Sequence, residues 1–254
     1  VISSFSKENK NFIELSPFKK ILTYFFVICI ISASILIPFL MLVVESQLSL
    51  VDALVYAQNS ITNSLLIGAI AAPIISLIGF LIYYAYKRSN LLVAMIAFPL
   101  GIPSSVIGVS LINLYNTVPV PVHGTIFILL LGYILRFLPF SAFIFSSFVT
   151  QISPSIEESA RLSKPSSLKI LGKIILPLSK GGLVSSLIII FVFCIGEIGI
   201  TQMLSPPGFQ TLSIRIDTLM HYGNYPYVAS LSLSLLILIF VFYAIMVYSY
   251  GRNR

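Results

Sequence analysis

The sequence predicts an all-α integral membrane protein, and two observations support that prediction. Hydrophobic residues make up 57% of the 254-residue chain and charged residues only 9%, whereas soluble globular domains carry about 25% charged residues. The chain also contains six apolar segments, each close to the ~20 residues that a helix needs to cross a bilayer. We therefore expect a single bundle of six transmembrane helices rather than several separate domains.

The six predicted spans follow one another along most of the chain. They cover residues 21–44, 61–84, 91–115, 125–148, 182–203 and 229–248. The first span runs well beyond the ~7 to 15 apolar residues of a cleaved signal peptide, so we interpret it as a retained span. Residues 1–20 are then a short N-terminal tail, and residues 21–250 form one transmembrane domain.

The basic residues orient the predicted bundle. They cluster before the first span, between the second and third, between the fourth and fifth, and at the C-terminal end; the alternate loops contain one, Arg215. Because cytoplasmic loops carry an excess of Lys and Arg, both termini are expected in the cytoplasm. The net charge of +7 has the same origin, so it does not require a nucleic-acid partner.

The cytoplasmic loop at residues 153–177 is a polar and basic insert between two apolar spans. Ser153 and Pro154 predict the start of a short helix, because serine caps helix N-termini and proline is tolerated in the first turn. Pro165 disfavours a helical conformation at Lys164. We therefore expect two short helices joined by a bend, with the charged side chains of the first available to water or to a partner.

The spacing of this loop resembles the EAA loop of ABC-importer permeases, whose pattern is E-A-A-x3-G-x9-I-x-L-P. Here Glu158-Ser159-Ala160 is followed after three residues by Lys164 and after nine more by Ile174-x-Leu176-Pro177. A serine and a lysine stand where the family has its second small residue and its glycine. The resemblance implies a docking loop for an ATPase, with these docking residues: Glu157, Glu158, Ser159, Ala160, Arg161, Leu162 and Lys164.

A second resemblance lies in the outer loop at residues 204–228 and just before it. Gly196-Glu197-Ile198-Gly199, 206–209, 211–216 and 220–223 are similar to the corresponding stretch of ferric-iron-type importer permeases. The apolar residues Leu212, Ile216, Leu219 and Met220 recur at helical spacing and predict an amphipathic helix at the outer interface that ends at Gly223. Such a helix is a candidate contact for a soluble binding protein, through Phe209, Arg215, His221 and Tyr222.

Two ionisable residues fall inside the predicted spans, Arg136 in the fourth and Glu197 in the fifth. An unpaired charge near the bilayer centre costs roughly 2.5 to 3.5 kcal/mol, so each side chain should face protein or water. Two interpretations remain open. The residues form a structural pair between neighbouring helices, or they line a translocation pathway.

The sequence contains no pattern that supplies catalysis. It has no G-x-x-x-x-G-K-[ST] loop to hold nucleotide phosphates, so the ATPase of such a system must be another subunit. It also lacks a Ser/His/Asp arrangement and a Cys/His cluster with metal-ligand spacing. We therefore expect no enzymatic activity, no cofactor and no metal site.

Together the resemblances imply the membrane subunit of a type I ABC importer in a bacterial inner membrane. The implied partners are an ABC ATPase dimer, a second permease unit that is either a copy or a sister chain, and a periplasmic or surface solute-binding protein. Ferric iron is the first cargo considered, with thiamine, phosphonate and polyamines behind it. A secondary transporter or channel, and a scaffold without transport activity, are the alternatives from other classes; two charges within spans are few for an ion-coupled transporter.

Overall fold

The computed structural model describes residues 16–46, 49–86, 95–117, 124–162 and 167–252, and all regular elements in these ranges are helices. Their labels follow chain order, and α7 consists of an α-helical, a π-helical and a second α-helical segment in succession. The helices are α1 (Pro17–Ser46, with a π-helical turn at Ser32–Leu36), α2 (Leu50–Tyr56), α3 (Gln58–Tyr86), α4 (Ser104–Thr117), α5 (Ile126–Val149), α6 (Pro154–Leu162), α7 (Ser167–Ile170, Leu171–Ile175 and Leu176–Leu178), α8 (Lys180–Gly196), α9 (Gly199–Leu204), α10 (Leu212–His221) and α11 (Tyr225–Arg252). A short helical segment, Met95–Gly101, precedes α4.

Four described helices, α1, α3, α5 and α11, are each long and apolar enough to cross a membrane. The third predicted span is instead a bent pair of helices, and the fifth overlaps the second helix of another bent pair. Met95–Gly101 meets α4 at 109°, and Leu171–Leu178 meets α8 at 73°. The described chain therefore has four candidate spans, or six if each bent pair counts as one, so the count of six stays a prediction.

Two predicted spans, residues 91–115 and 182–203, are not single continuous helices, and the local chemistry explains both breaks. Ile102 is extended, with φ −96° and ψ 128°, because the proline that follows it disfavours the helical region. In the fifth segment α8 ends at Gly196 and Glu197 is extended, with φ −74° and ψ 127°. The chain then resumes as the separate helix α9.

The core forms where α3, α5 and α8 pack on one another and α4 and α9 pack against α5. Buried aliphatic and aromatic side chains fill it, among them Ile67, Ile75, Leu129, Tyr133, Ile190 and Phe191. The first helix, α1, lies outside this core. Its apolar side chains are exposed over its whole length, and it contacts α11 through its second half. A helix that is apolar on an exposed surface is typical of contact with lipid or with another membrane helix.

Candidate functional site

The helix α6 presents polar side chains at one end of the bundle. Ser155, Glu158 and Ser159 are exposed, whereas Ala160 is half-buried against the bundle. The helix begins where the sequence predicts, with the Ser153 carbonyl accepting the Ile156 N–H at 3.1 Å. The Ser153 and Ser155 hydroxyl oxygens lie 2.7 Å apart. Ala160 therefore packs α6 against the bundle, and the exposed polar side chains are available to a partner.

A cluster of buried apolar side chains attaches this loop to two long helices. Ile170 and Ile175 on α7 are buried against Phe80 of α3 and Phe145 of α5. The two phenylalanine rings are 5.1 Å apart, and Ala160 of α6 packs against the same cluster. The cluster therefore packs α6 and α7 against the ends of α3 and α5, and such densely packed contacts resist compression.

Among the residues implied by the EAA resemblance, the structure places Glu158, Ser159 and Ala160 on α6 as described above. Glu157, Arg161 and Leu162 also belong to α6, and for these three only the backbone is described. Lys164 lies outside the described residues.

Arg136 and Glu197 bond to separate partners. The Arg136 guanidinium donates to the carbonyl oxygen of Ile102 at 2.6 Å. A carboxylate oxygen of Glu197 accepts the Ile200 N–H at 3.0 Å, and so satisfies one of the free donors at the start of α9. Both side chains are described, and they form no ion pair with each other within 4.0 Å. The structure therefore does not bring these two residues together as a pair.

The two helix breaks meet in one layer of the bundle, here called the break layer: Ile102, Ser104, Arg136, Glu197 and Gly199. A Cβ atom on Gly199 would overlap the Ser104 side chain, so the starts of α9 and α4 are in direct contact. The Glu197 carbonyl accepts the hydroxyls of Thr201 at 2.9 Å and Ser213 at 3.1 Å. Irregular backbone at membrane depth needs such partners, and it occurs where it is buried in protein or lines a cavity.

Buried hydroxyl groups join helices at two further places in the bundle. Ser76, Ser141 and Ser186 are fully buried, one each on α3, α5 and α8; the Ser186 hydroxyl donates to that of Ser76 at 2.8 Å and lies 3.0 Å from that of Ser141. Tyr133 and Thr201 join α5 to α9 through hydroxyls 2.6 Å apart. The sequence alone did not predict these groups. A serine inside an apolar span was the available signal, but its partners depend on which helices are neighbours.

The outer helix α10 lies where the apolar periodicity predicts one, and two glycines shape its flanks. The Phe209 N–H donates to the Pro206 carbonyl at 3.0 Å with Gly208 at φ 78°, which is a type II turn that favours glycine. At the other end, Gly223 has φ 75° and the Asn224 N–H donates to the Leu219 carbonyl at 3.3 Å, which is a Schellman motif.

The apolar face of α10 packs against protein rather than lying free at the interface. Leu212 and Leu219 are buried with Ala53, Ala57 and Leu231, which belong to the α2 region and α11. The hydroxyl of Ser64 on α3 accepts the Leu212 N–H at 2.7 Å. The outer helix is therefore a fixed part of the bundle.

The structure separates the four residues predicted to contact a binding protein. The His221 side chain is 69% exposed and Tyr222 is 83% exposed, and they stand side by side at the end of α10. Phe209 is half-buried against the core. Arg215 stacks over the ring of Tyr56 at 4.4 Å. Two of the four are thus surface residues, and the other two are held by the fold.

No group of three or more His, Cys, Asp or Glu side chains that could hold a metal ion occurs within the described ranges. The described bundle combines an exposed polar helix at one end, polar helix breaks inside, and an ordered helix at the other end.

Comparison with known proteins identifies the family. The family model for binding-protein-dependent transport system inner membrane components matches residues 64–254. The chain therefore belongs to this family, and its bundle is that of a type I ABC importer permease, as the sequence predicts. A solved bacterial alginate ABC transporter, in complex with a periplasmic protein bound to an alginate pentasaccharide, has the same fold. Its TM-score is 0.65 at 15% identity, covering 93% of this chain and 98% of that chain.

Two curated relatives align with part of the sequence. The ferric transport system permease protein FbpB of Actinobacillus pleuropneumoniae is 32% identical over 143 residues, 54% of this chain and 20% of that protein. The putative 2-aminoethylphosphonate transport system permease protein PhnV of Salmonella paratyphi A is 32% identical over 152 residues, 59% of this chain and 56% of that protein. The chain thus spans about a fifth of the first relative's length and about half of the second's.

Proposed function

We propose that this chain is the transmembrane subunit of an ATP-driven importer and forms the translocation path with a second permease unit. The observation that carries the proposal is the exposed helix α6, anchored through α7 to the ends of α3 and α5. A separate ATPase dimer binds α6 on two permease units, whether copies of this chain or sister chains. Closure of that dimer pulls α6, and the packed cluster of Phe80, Phe145, Ile170 and Ile175 passes the movement to the bundle.

The break layer is the part of the bundle that we propose to change during transport. Arg136 and Glu197 hold helix ends there, and helix breaks are where a transmembrane segment bends at least cost. In this proposal the layer borders the path, which opens alternately to the two sides of the membrane. The α10 end receives cargo from a soluble binding protein, with His221 and Tyr222 as the exposed contacts.

The proposed orientation puts α6 and both termini in the cytoplasm and α10 outside, as the basic residues predict. We expect Ser155→Cys, on α6, to react with a membrane-impermeant maleimide only in lysed spheroplasts, and Tyr222→Cys to react in intact ones. Both cysteines are introduced into a Cys29→Ser variant. Cys29 is exposed and would itself react with the maleimide, whereas Cys194 is buried. Labelling of Ser155→Cys in intact spheroplasts would contradict the orientation.

For the cargo we propose ferric ion. Two observations support it: the resemblance of the outer loop to ferric-iron-type permeases, and the 32% identity to a ferric permease. A phosphonate is the second candidate, because the 2-aminoethylphosphonate relative has the same identity and aligns over slightly more of this chain. Thiamine and polyamines rank behind both.

Uptake into proteoliposomes tests the function and the cargo together. The proteoliposomes contain the permease pair with its ATPase facing the lumen, and the ferric-loaded binding protein is added outside. We expect iron to be imported only when ATP is enclosed in the lumen. Import of 2-aminoethylphosphonate instead would favour the second candidate. Uptake by this chain alone without ATP would show a secondary transporter or channel, and no ATPase stimulation by any binding protein would favour a scaffold.

A further inference from the structure

An apolar groove lies on the membrane face of the bundle, between α2, α3, α10 and α11. Its volume is about 440 Å³, and ten of its eleven lining residues are apolar, with Ser234 as the exception. This volume lies in the range of about 300–1,000 Å³ that is typical of small-molecule sites, which are also mainly apolar. The groove is therefore large enough for a ligand and suited to a hydrocarbon one.

The groove has the length of one membrane leaflet. Its lining along α11 follows one stripe, Ser234, Leu238, Val241 and Ile245, at spacings of four, three and four residues. At ~1.5 Å per residue this stripe is about 16 Å long. The hydrocarbon core of a bilayer is about 30 Å thick, so the length of the groove is about half of that thickness.

The volume and the lining of the groove suit a single hydrocarbon chain. About 440 Å³ lined almost entirely by apolar side chains accommodates one acyl chain. Contact with a helix of another chain is the alternative that the crosslinking experiment below tests.

The cationic side chain of Arg215 lies near the end of the groove that is closest to the membrane interface. The α11 stripe continues seven residues before Ser234 to Tyr227, whose ring stacks on Tyr56 with centroids 5.7 Å apart. The Arg215 guanidinium lies 4.4 Å over that same Tyr56 ring. Arg215 is one helical turn after the lining residue Leu212. Tyrosines are enriched at membrane interfaces, so this cluster lies at the depth of lipid headgroups.

The Arg215 charge has no acidic partner among the described residues. Its Nε is buried without a hydrogen-bond partner, and the carboxylate of Asp217, on the same helix, is approached instead by His221 at 4.0 Å. Asp52 on α2 is exposed and forms no ion pair with Arg215 within 4.0 Å. An anion is the group that this guanidinium lacks, and phosphate suits its planar set of donors.

From these observations we propose that the groove binds one glycerophospholipid. One acyl chain fills the space between α3 and α11, and the phosphate is held by Arg215 beside Tyr56 and Tyr227. The proposed orientation places this lipid in the outer leaflet, and the binding itself does not depend on that choice. The lipid covers the seam where α10 joins the bundle, and so it stabilises the surface that receives the binding protein.

Native mass spectrometry of the purified permease complex tests the proposal, with phosphatidylglycerol, diacylglycerol of the same chains and inorganic phosphate as probes. Leu65→Trp fills the groove, and Ile70→Trp is its matched control, since Leu65 is 40% and Ile70 41% exposed on the same helix and only Leu65 lines the groove. We expect wild type and Ile70→Trp to retain phosphatidylglycerol and Leu65→Trp to lose both lipids. Arg215→Gln should retain about tenfold less phosphatidylglycerol, as a lost charged hydrogen bond predicts, with unchanged diacylglycerol.

A photoreactive probe keeps the test decisive if Leu65→Trp fails to fold. Leu65→Cys, in the Cys29→Ser background, carries a photoreactive maleimide in native membranes. Attachment of the probe to phospholipid at Leu65→Cys well above that at Ile70→Cys, which is equally exposed outside the groove, supports the proposal. Attachment to polypeptide would show that the groove is a protein interface and would overturn it. Equal phosphatidylglycerol retention by wild type and Arg215→Gln, or binding of inorganic phosphate alone, would overturn the assignment of the headgroup site.

Discussion

Replacing Glu158 by lysine is expected to weaken association with the ATPase roughly 30-fold or more, because reversing a charge at a complementary interface costs roughly 2–5 kcal/mol. Glu158 is exposed on α6, and an exposed substitution outside special features usually changes stability by only about 0.5 kcal/mol. The variant should therefore express and fold as wild type does. Co-purification of the ATPase and ATP-driven uptake are the measurements.

Ser155→Lys is the matched control for this prediction. It introduces the same side chain at an exposed position three residues earlier on the same helix, so it reproduces the added positive charge without removing the carboxylate. We expect it to retain most of the ATPase. If both variants lose the ATPase equally, the effect belongs to the net charge of α6. If neither does, Glu158 is not at the interface.

Removing the charged side chains of the break layer is expected to destabilise the bundle in two independent steps. Arg136→Met leaves the Ile102 carbonyl without its charged donor, at an expected cost of roughly 1.5–3 kcal/mol. Glu197→Ala removes the acceptor at the start of α9, at an expected cost of about 0.5–2 kcal/mol. Because the two side chains share no partner, the double variant should lose the sum of the two within about 0.5 kcal/mol.

Denaturation of the four proteins in detergent checks this additivity, and uptake is measured on the same samples. A double variant that is more stable than the sum by over about 1 kcal/mol would show that Arg136 and Glu197 interact. Arg136→Lys is the control for the bond itself. It keeps the positive charge and can still donate to the Ile102 carbonyl, so it should lose less stability than Arg136→Met. Equal losses would mean that the Ile102 bond contributes little.

Much of the fold follows from local sequence. The apolar runs that became α1, α3, α5 and α11 were predicted because a membrane helix satisfies its backbone within itself, so length and composition suffice to locate it. The outer helix α10 was predicted for a related reason. Its buried Leu212 and Leu219 recur at helical spacing, and Gly223 supplies the left-handed residue that ends it.

Hydropathy alone does not locate the breaks in the third and fifth segments. Residues 91–115 and 182–203 are mainly apolar, yet the helices separate at Ile102 and at Glu197. A proline does not by itself break a helix here, because Pro73 lies inside the unbroken helix α3. Pro103 is therefore compatible with the first break but does not determine it. A helix break is tolerated where the backbone N–H and C=O groups that it leaves unpaired find hydrogen-bond partners. Several of those partners, such as Arg136 for the Ile102 carbonyl, come from other parts of the chain.

The sequence by itself determined that this is a helical membrane protein, where its long spans lie and which polar loop resembles a docking site for an ATPase. Only the tertiary structure decided the partners of Arg136 and Glu197, the buried contacts of Ser76, Ser141 and Ser186, and the groove below Arg215. Apolar composition and helical periodicity are properties of neighbouring residues along the chain. Hydrogen bonds such as the one from Arg136 to Ile102 join residues 34 positions apart, so they exist only once helix packing has brought their atoms together.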